Sequence, residues 1–198
     1  MDQLRYQLTL LLACLAPAAC GGDGRAASRD PAHVDSLVPR PIEIARFREG
    51  LTEPTELAGG AASRDALVQR YVGALERADT AGLAALAITR AEFAYLYYPT
   101  NPEAHPPYDL APGLMWFMLE QNSRKGLRHA LETRGGRPLG YVGYRCEVAP
   151  SRQRANTVWG PCLVRRRQAG GDVIEERLFA LMLERNGRFK FVSLANKL

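Results

Sequence analysis

The chain has 198 residues, enough for one domain with a sizeable core plus a tail and too few for two full domains. Its formal charge is +5, and of its 26 basic residues only Lys125, Lys190 and Lys197 are lysine. These basic residues are dispersed and no aromatic-interleaved basic motif occurs, which argues against nucleic acid as a partner. The exception is Arg165-Arg166-Arg167, which suits contact with anionic lipid headgroups or, more simply, a solvated strand edge whose charge discourages pairing with other chains.

At the start, Arg5 precedes an apolar stretch, LTLLLACLAPAA, and the small residues Pro17-Ala18-Ala19 before Cys20. The run is shorter than the roughly 20 apolar residues of a permanent span, and the order reads as an export signal over residues 1–19. LAPAACGGDG resembles the lipobox of bacterial lipoproteins. That resemblance implies that Cys20 becomes the lipidated N-terminus and that the protein is held at the membrane of the cell envelope, facing the periplasm or exterior. The stretch departs from the pattern at Pro17, where an aliphatic residue is usual. Leu11-Leu12-Ala13-Cys14 is a competing match, and an ordinary secretory signal is the alternative. Residues 20–62 read as a tether rich in Gly, Ala, Pro and Arg, with Pro39 and Pro41 opposing a continuous element and Ile42, Ile44 and Phe47 alternating as in a short strand or extended arm. The folded domain is expected over 63–198.

From Ser63 the apolar period is helical. Leu67, Val68, Tyr71, Val72 and Leu75 share a face, with Ser63 placed to cap it. Leu83, Leu86 and Ala87 follow Asp79-Thr80 in a short second helix. Thr89-Arg90-Ala91-Glu92 is a capping-box signature for a third, ended by Pro99. The stretch YLYYPTNPEAHPPYD (95–109) then carries four prolines, each fixing a backbone angle, so it reads as a stiff connector or pocket rim rather than a swinging lid. Residues 113–133 are helical, with Leu114, Phe117, Met118, Leu127, Ala130 and Leu131 toward the core, a break expected near Ser123 to Gly126, and Gly135-Gly136 as the stop.

Beyond residue 140 the period becomes two. Strands are expected at 141–148, 157–166, 173–184 and 189–195, separated by a polar loop at 150–156, by Gly170-Gly171-Asp172 and by the hairpin signal Asn186-Gly187. Helices followed by a meander predict an α+β fold, with N-terminal helices packed on a curved antiparallel sheet of about four strands. The helix pair DALVQRYVGALERADTAGLAALA, followed by a further helix and a long meander, resembles the nuclear-transport-factor-2-like (NTF2-like, SnoaL-like) superfamily. The resemblance implies a cone-shaped domain with a pocket between sheet and helices, serving enzymes in some members and non-catalytic binding in others. TRAEFAYLYYP is similar to stretches of uncharacterised exported bacterial proteins of this kind.

Cys146 and Cys162 fall opposite each other if the 150–156 loop closes a hairpin, and an oxidising compartment favours a disulfide between them. Neither has a second Cys or His at ligand spacing, so no metal site and no cofactor are expected. Rim or pocket positions for a small apolar ligand are Tyr95, Tyr98, His105, Trp116, His129 and Tyr144. Each has a plainer reading as core, cap or surface, as do Glu92, Tyr97, Asp109 and Trp159. There is no phosphate cradle, GxSxG elbow or HExxH motif. The sequence therefore favours a non-catalytic module binding a small apolar ligand or a protein partner, with a homodimer as one form of the latter. The alternative is an envelope isomerase or hydrolase using an acid and a tyrosine in the cone.

Overall fold

The computed structural model describes residues 38–196. The expected signal, Cys14, Cys20 and the first part of the tether lie outside the described residues. The compact unit begins at Val38, not at Ser63. Helix α1, Arg40–Arg48, starts at Pro39 and Pro41, the residues that had argued against a regular element. In a first helical turn the missing proline N–H has no intrahelical acceptor anyway, so proline starts the helix instead of breaking it. Phe47 of α1 is buried against Phe93, 5.6 Å between ring centroids, and Leu57 and Ala61 further along are also buried. Residues 38–62 thus belong to the domain.

Three helix starts are capped by side chains, two of them at the residues expected from the sequence, Ser63 and Thr89, and the third at Asp79. Ser63 accepts from Ala66 N–H at α2, Arg64–Glu76, and Asp79 accepts from Gly82 N–H at α3, Thr80–Ala85. The reciprocal Thr89/Glu92 box opens α4, Arg90–Glu92. The chain then winds through a wide turn, Phe93–Tyr97, and two tight ones, Tyr98–Thr100 and Pro102–Ala104. Helix α5, Pro112–Arg134, runs without the break expected at 123–126. Gly126 is there for close approach: a Cβ at that position would lie 2.0 Å from the carbonyl oxygen of Leu194, so the glycine lets the C-terminal segment lie against the helix.

The expected single sheet is in fact two antiparallel sheets. One has the order β1 (Tyr141–Cys146), β4 (Cys162–Arg167), β5 (Val173–Glu176). The other runs β2 (Ser151–Gln153), β3 (Asn156–Trp159), β6 (Met182–Arg185), β7 (Arg188–Phe191). The segments 157–166 and 173–184, read as single strands, each pass from one sheet to the other, the first at Gly160-Pro161. Gly160 has φ +120°, closed to other residues, and Pro161 has no N–H for a ladder. β2 arises within the supposed loop, turning at Arg154. At the hairpin Asn186-Gly187 both residues take positive φ, as its turn requires. β4 is central in its sheet, so Arg165-Arg166-Arg167 is not on an edge.

Alternation along β6 and β7 divides the core in two. Met182, Phe189 and Phe191 join Tyr71, Leu75 and Phe179 on one side of the four-stranded sheet. Leu183 and Val192 join Val158, Phe93, Tyr97 and Met115 on the other. Lys190 points into this second side and meets Glu92 at 2.9 Å, with both side chains almost fully buried. Glu92 also accepts from the N–H groups of Thr89 and Ala58, each at 2.7 Å.

Cys146 and Cys162 are directly paired across β1 and β4 and form a disulfide with Cα atoms 3.9 Å apart. The bond closes the excursion that carries β2 and β3, and it points to an oxidising, extracytoplasmic location. Among the described residues no helix is long and apolar enough to cross a membrane.

Two stability measurements follow. Lys190→Met strands the Glu92 carboxylate in an apolar core and is expected to lower the free energy of unfolding in urea by about 3–5 kcal/mol. Replacing both cysteines by serine, which opens a loop of separation 16, is expected to lower it by about 2–4 kcal/mol.

Candidate functional site

The mouth expected between residues 95–109, α5 and the meander is filled by side chains. Tyr97 and Tyr98 are buried in the second core, and the Tyr98 hydroxyl donates to the Leu110 carbonyl at 2.8 Å. Trp116 packs 5.3 Å from Phe93, centroid to centroid. Tyr95 lies beneath the Arg48 guanidinium at 4.3 Å, and the ring of His105 sits 3.2 Å from the Pro99 carbonyl. Beside Trp116 a groove between α3 and α5 measures about 200 Å³, below the roughly 300–1,000 Å³ usual for small-molecule sites. His129 is elsewhere, lining a separate cleft of about 290 Å³ with Lys125 and Asn196. Tyr144 stands on β1 beside Asp65. The six expected ligand residues therefore do not converge on one pocket.

An acid and a tyrosine do meet at Asp65 and Tyr144. Burial, then the hydrogen bond to Asp65, pushes the Tyr144 phenol up to about 12. The phenol keeps its proton at neutral pH and its carboxylate partner is solvent-exposed. Nearby, the Arg64 guanidinium lies 3.8 Å over the Trp159 ring, whose N–H donates to Glu184. These contacts fasten the start of α2 to the strands.

Two other surfaces emerge. The first is the outer side of α5. Residues 114–119, LMWFML, are apolar without interruption, and a helix packed on one side buries only a stripe of them. Met115 is buried, and Trp116 and Leu119 are partly buried against the second core. Leu114, Phe117 and Met118, expected in the core, are 50%, 58% and 47% exposed, and Tyr108 just before the helix is 67% exposed. Arg40 of α1 binds both the carboxylate and the carbonyl of Asp109, so the start of the described chain sits against the residues leading into α5. Exposed Lys125 and Arg128 follow about two and three turns along the same helix.

The second is a cleft of about 540 Å³ at the other end of α5, between the helix C-terminus and the β4–β5 hairpin. Arg134, Arg137, Arg166 and Arg167 line it, with Thr133 and Gln168. Glu176 is the carboxylate that bridges two of them, accepting from Arg134 at 2.9 and 3.1 Å and from Arg166 at 2.6 Å. Burial pushes the Glu176 carboxyl up, yet the hydrogen bonds and charges of the two guanidinium groups outweigh it and hold the group below the ordinary carboxylate range. Sequence reasoning singled out the triplet at 165–167 without its partners. Arg134 and Arg137 flank the Gly135-Gly136 helix stop, which is the local signal that would have drawn attention to them.

The chain matches no known protein family, no curated protein and no solved structure. Its function must therefore be argued from these surfaces.

A carboxylate held below its ordinary range stabilises the fold above pH about 4.3, its unfolded value, and loses that contribution as pH falls through the lower folded value. Glu176→Gln is accordingly expected to reduce the melting temperature at pH 7, and the gap from wild type should close as pH falls from about 5 to 3. A gap constant across that range would contradict the ion-pair assignment.

Proposed function

We propose that this chain is a cell-envelope lipoprotein, lipidated at Cys20, whose α+β domain is a non-catalytic binding module seated on the membrane through the outer side of α5. The observation that carries the reading is the exposed trio Leu114, Phe117 and Met118, joined by Tyr108, at the end of the domain where the chain enters. Large apolar side chains gathered on one side of a helix are costly to leave in water. The preceding chain carries an apolar run and the Cys20 that resembles a lipobox, so the occupant that fits this surface is the lipid interface. Insertion of apolar and aromatic side chains, with basic residues near, is how interfacial helices bind. The order of helices followed by a meander supports an NTF2-like relationship at the level of architecture. The small apolar ligand suggested by that resemblance has less support than the membrane, because the second core fills its expected mouth.

Two readouts test this separately. Cys20→Ser is expected to abolish incorporation of labelled fatty acid and release the protein from the membrane fraction, whereas Cys14→Ser should do neither. For the docking surface, a Phe117→Trp variant of the lipidated chain is placed in vesicles of phosphatidylcholine and phosphatidylglycerol. Its added fluorescence should be quenched strongly when the acyl chains are brominated. Absence of quenching while the protein still floats with the vesicles would discard the docking surface and leave the anchor standing.

A further inference from the structure

We infer that the cleft between the C-terminus of α5 and the β4–β5 hairpin is a binding site for a small soluble polyanion, one carrying phosphate or clustered carboxylate groups. Four arginines border a volume within the range of ligand sites, and they come from separate stretches of chain: Arg134 from the last turn of α5, Arg137 from the connection to β1, and Arg166 and Arg167 from β4, where Arg166 is on the buried face with Glu176 and Arg167 on the exposed one. Like charges brought together repel unless matched. Glu176 supplies one negative charge, and it faces Arg134 and Arg166. Glu76 is nearby but is engaged by the backbone N–H of Leu139. Among the described residues, no carboxylate lies within ion-pair distance of Arg137 or Arg167. The Arg167 guanidinium is nonetheless held in place, donating to the Gly171 carbonyl at 3.0 Å.

The cleft is therefore bordered by an excess of positive charge, with Arg134 and Arg166 held by Glu176 and Arg167 by the Gly171 carbonyl. A guanidinium fork matches the oxygens of phosphate or carboxylate two at a time, which makes clustered arginines suited to such groups. An ion-pair network serving stability alone has no need of Arg137 and Arg167, which are exposed at the rim. The cleft lies at the far end of α5 from the exposed apolar trio. Arg134 is sixteen residues beyond Met118 on one continuous helix, a separation of about 24 Å. The inference does not depend on the membrane reading, since the cleft is complete whether or not α5 touches lipid.

The test is calorimetric titration of the full chain, in neutral detergent and low salt, with inorganic pyrophosphate as probe. Four proteins are compared: wild type, R137Q/R167Q, E176Q and R152Q/R154Q, the last removing the same charge from the β2–β3 turn. Saturable binding with one site is expected in wild type, unchanged in R152Q/R154Q, weakened about tenfold or more in R137Q/R167Q, and tightened in E176Q, where the competing carboxylate is gone. All the substituted arginines are solvent-exposed, so both arginine pairs are expected to fold as wild type does, and circular dichroism checks them and the less stable E176Q at the titration temperature. No saturable binding in wild type, or equal weakening in both arginine pairs, would overturn the site. So would a loss of binding to phosphatidylglycerol vesicles in R137Q/R167Q that pyrophosphate does not compete with, because the cleft would then read headgroups.

Discussion

The buried pair of Glu92 and Lys190 is the contact on which the remaining architecture hangs. Three parts of the chain remote in sequence meet at one carboxylate: the segment after α1 through Ala58 N–H, the start of α4 through Thr89 N–H, and β7 through the Lys190 ammonium. An ammonium and a carboxylate removed from water are tolerated only when each is the other's partner and the remaining lone pairs are filled. That condition fixes more than distance. Lys190 reaches Glu92 only if β7 keeps the register that sends Phe189 and Phe191 into the opposite core, so one ion pair specifies which face of the sheet each residue serves.

The same pair explains the role of α1 and the residues after it. A stretch with two prolines and little amphipathic pattern forms a marginal helix alone. It becomes part of the domain because Phe47 and Leu57 complete the second core and because Ala58 N–H has the Glu92 oxygen as its acceptor. This segment is stabilised from outside itself, which is why its own residues gave little notice of it.

What could be read from the sequence follows this division. The Ser63 and Thr89 caps each act within about three residues, and both were visible; the Asp79 cap acts over the same span but was read only as a break between helices. So were the Asn186-Gly187 hairpin and the opposed cysteines, whose partners are set by turn and register. The six apolar residues 114–119 had no such local arbiter. A helix that is apolar on every side does not disclose which side meets the core, and the choice of Met115 over Leu114 is made by Phe93 and the sheet beneath. The arginine cleft is harder still, because Arg134 and Glu176 are 42 residues apart and meet only after the helix and the β4–β5 hairpin have been placed.

Helix α5 then acts as a spacer between two chemically opposite ends. Its first turns expose apolar side chains near the entry of the chain, and its last turn contributes to a cluster of guanidinium groups. At physiological ionic strength electrostatic influence decays over about 8 Å, a third of the roughly 24 Å between Met118 and Arg134. The two ends are thus separated by about three screening lengths, so charge at the cleft is largely independent of what the apolar end of the helix touches. The proposed docking surface and the proposed anion site therefore draw on different groups: apolar side chains at one end of α5 and arginines at the other, with no positive charge shared between them.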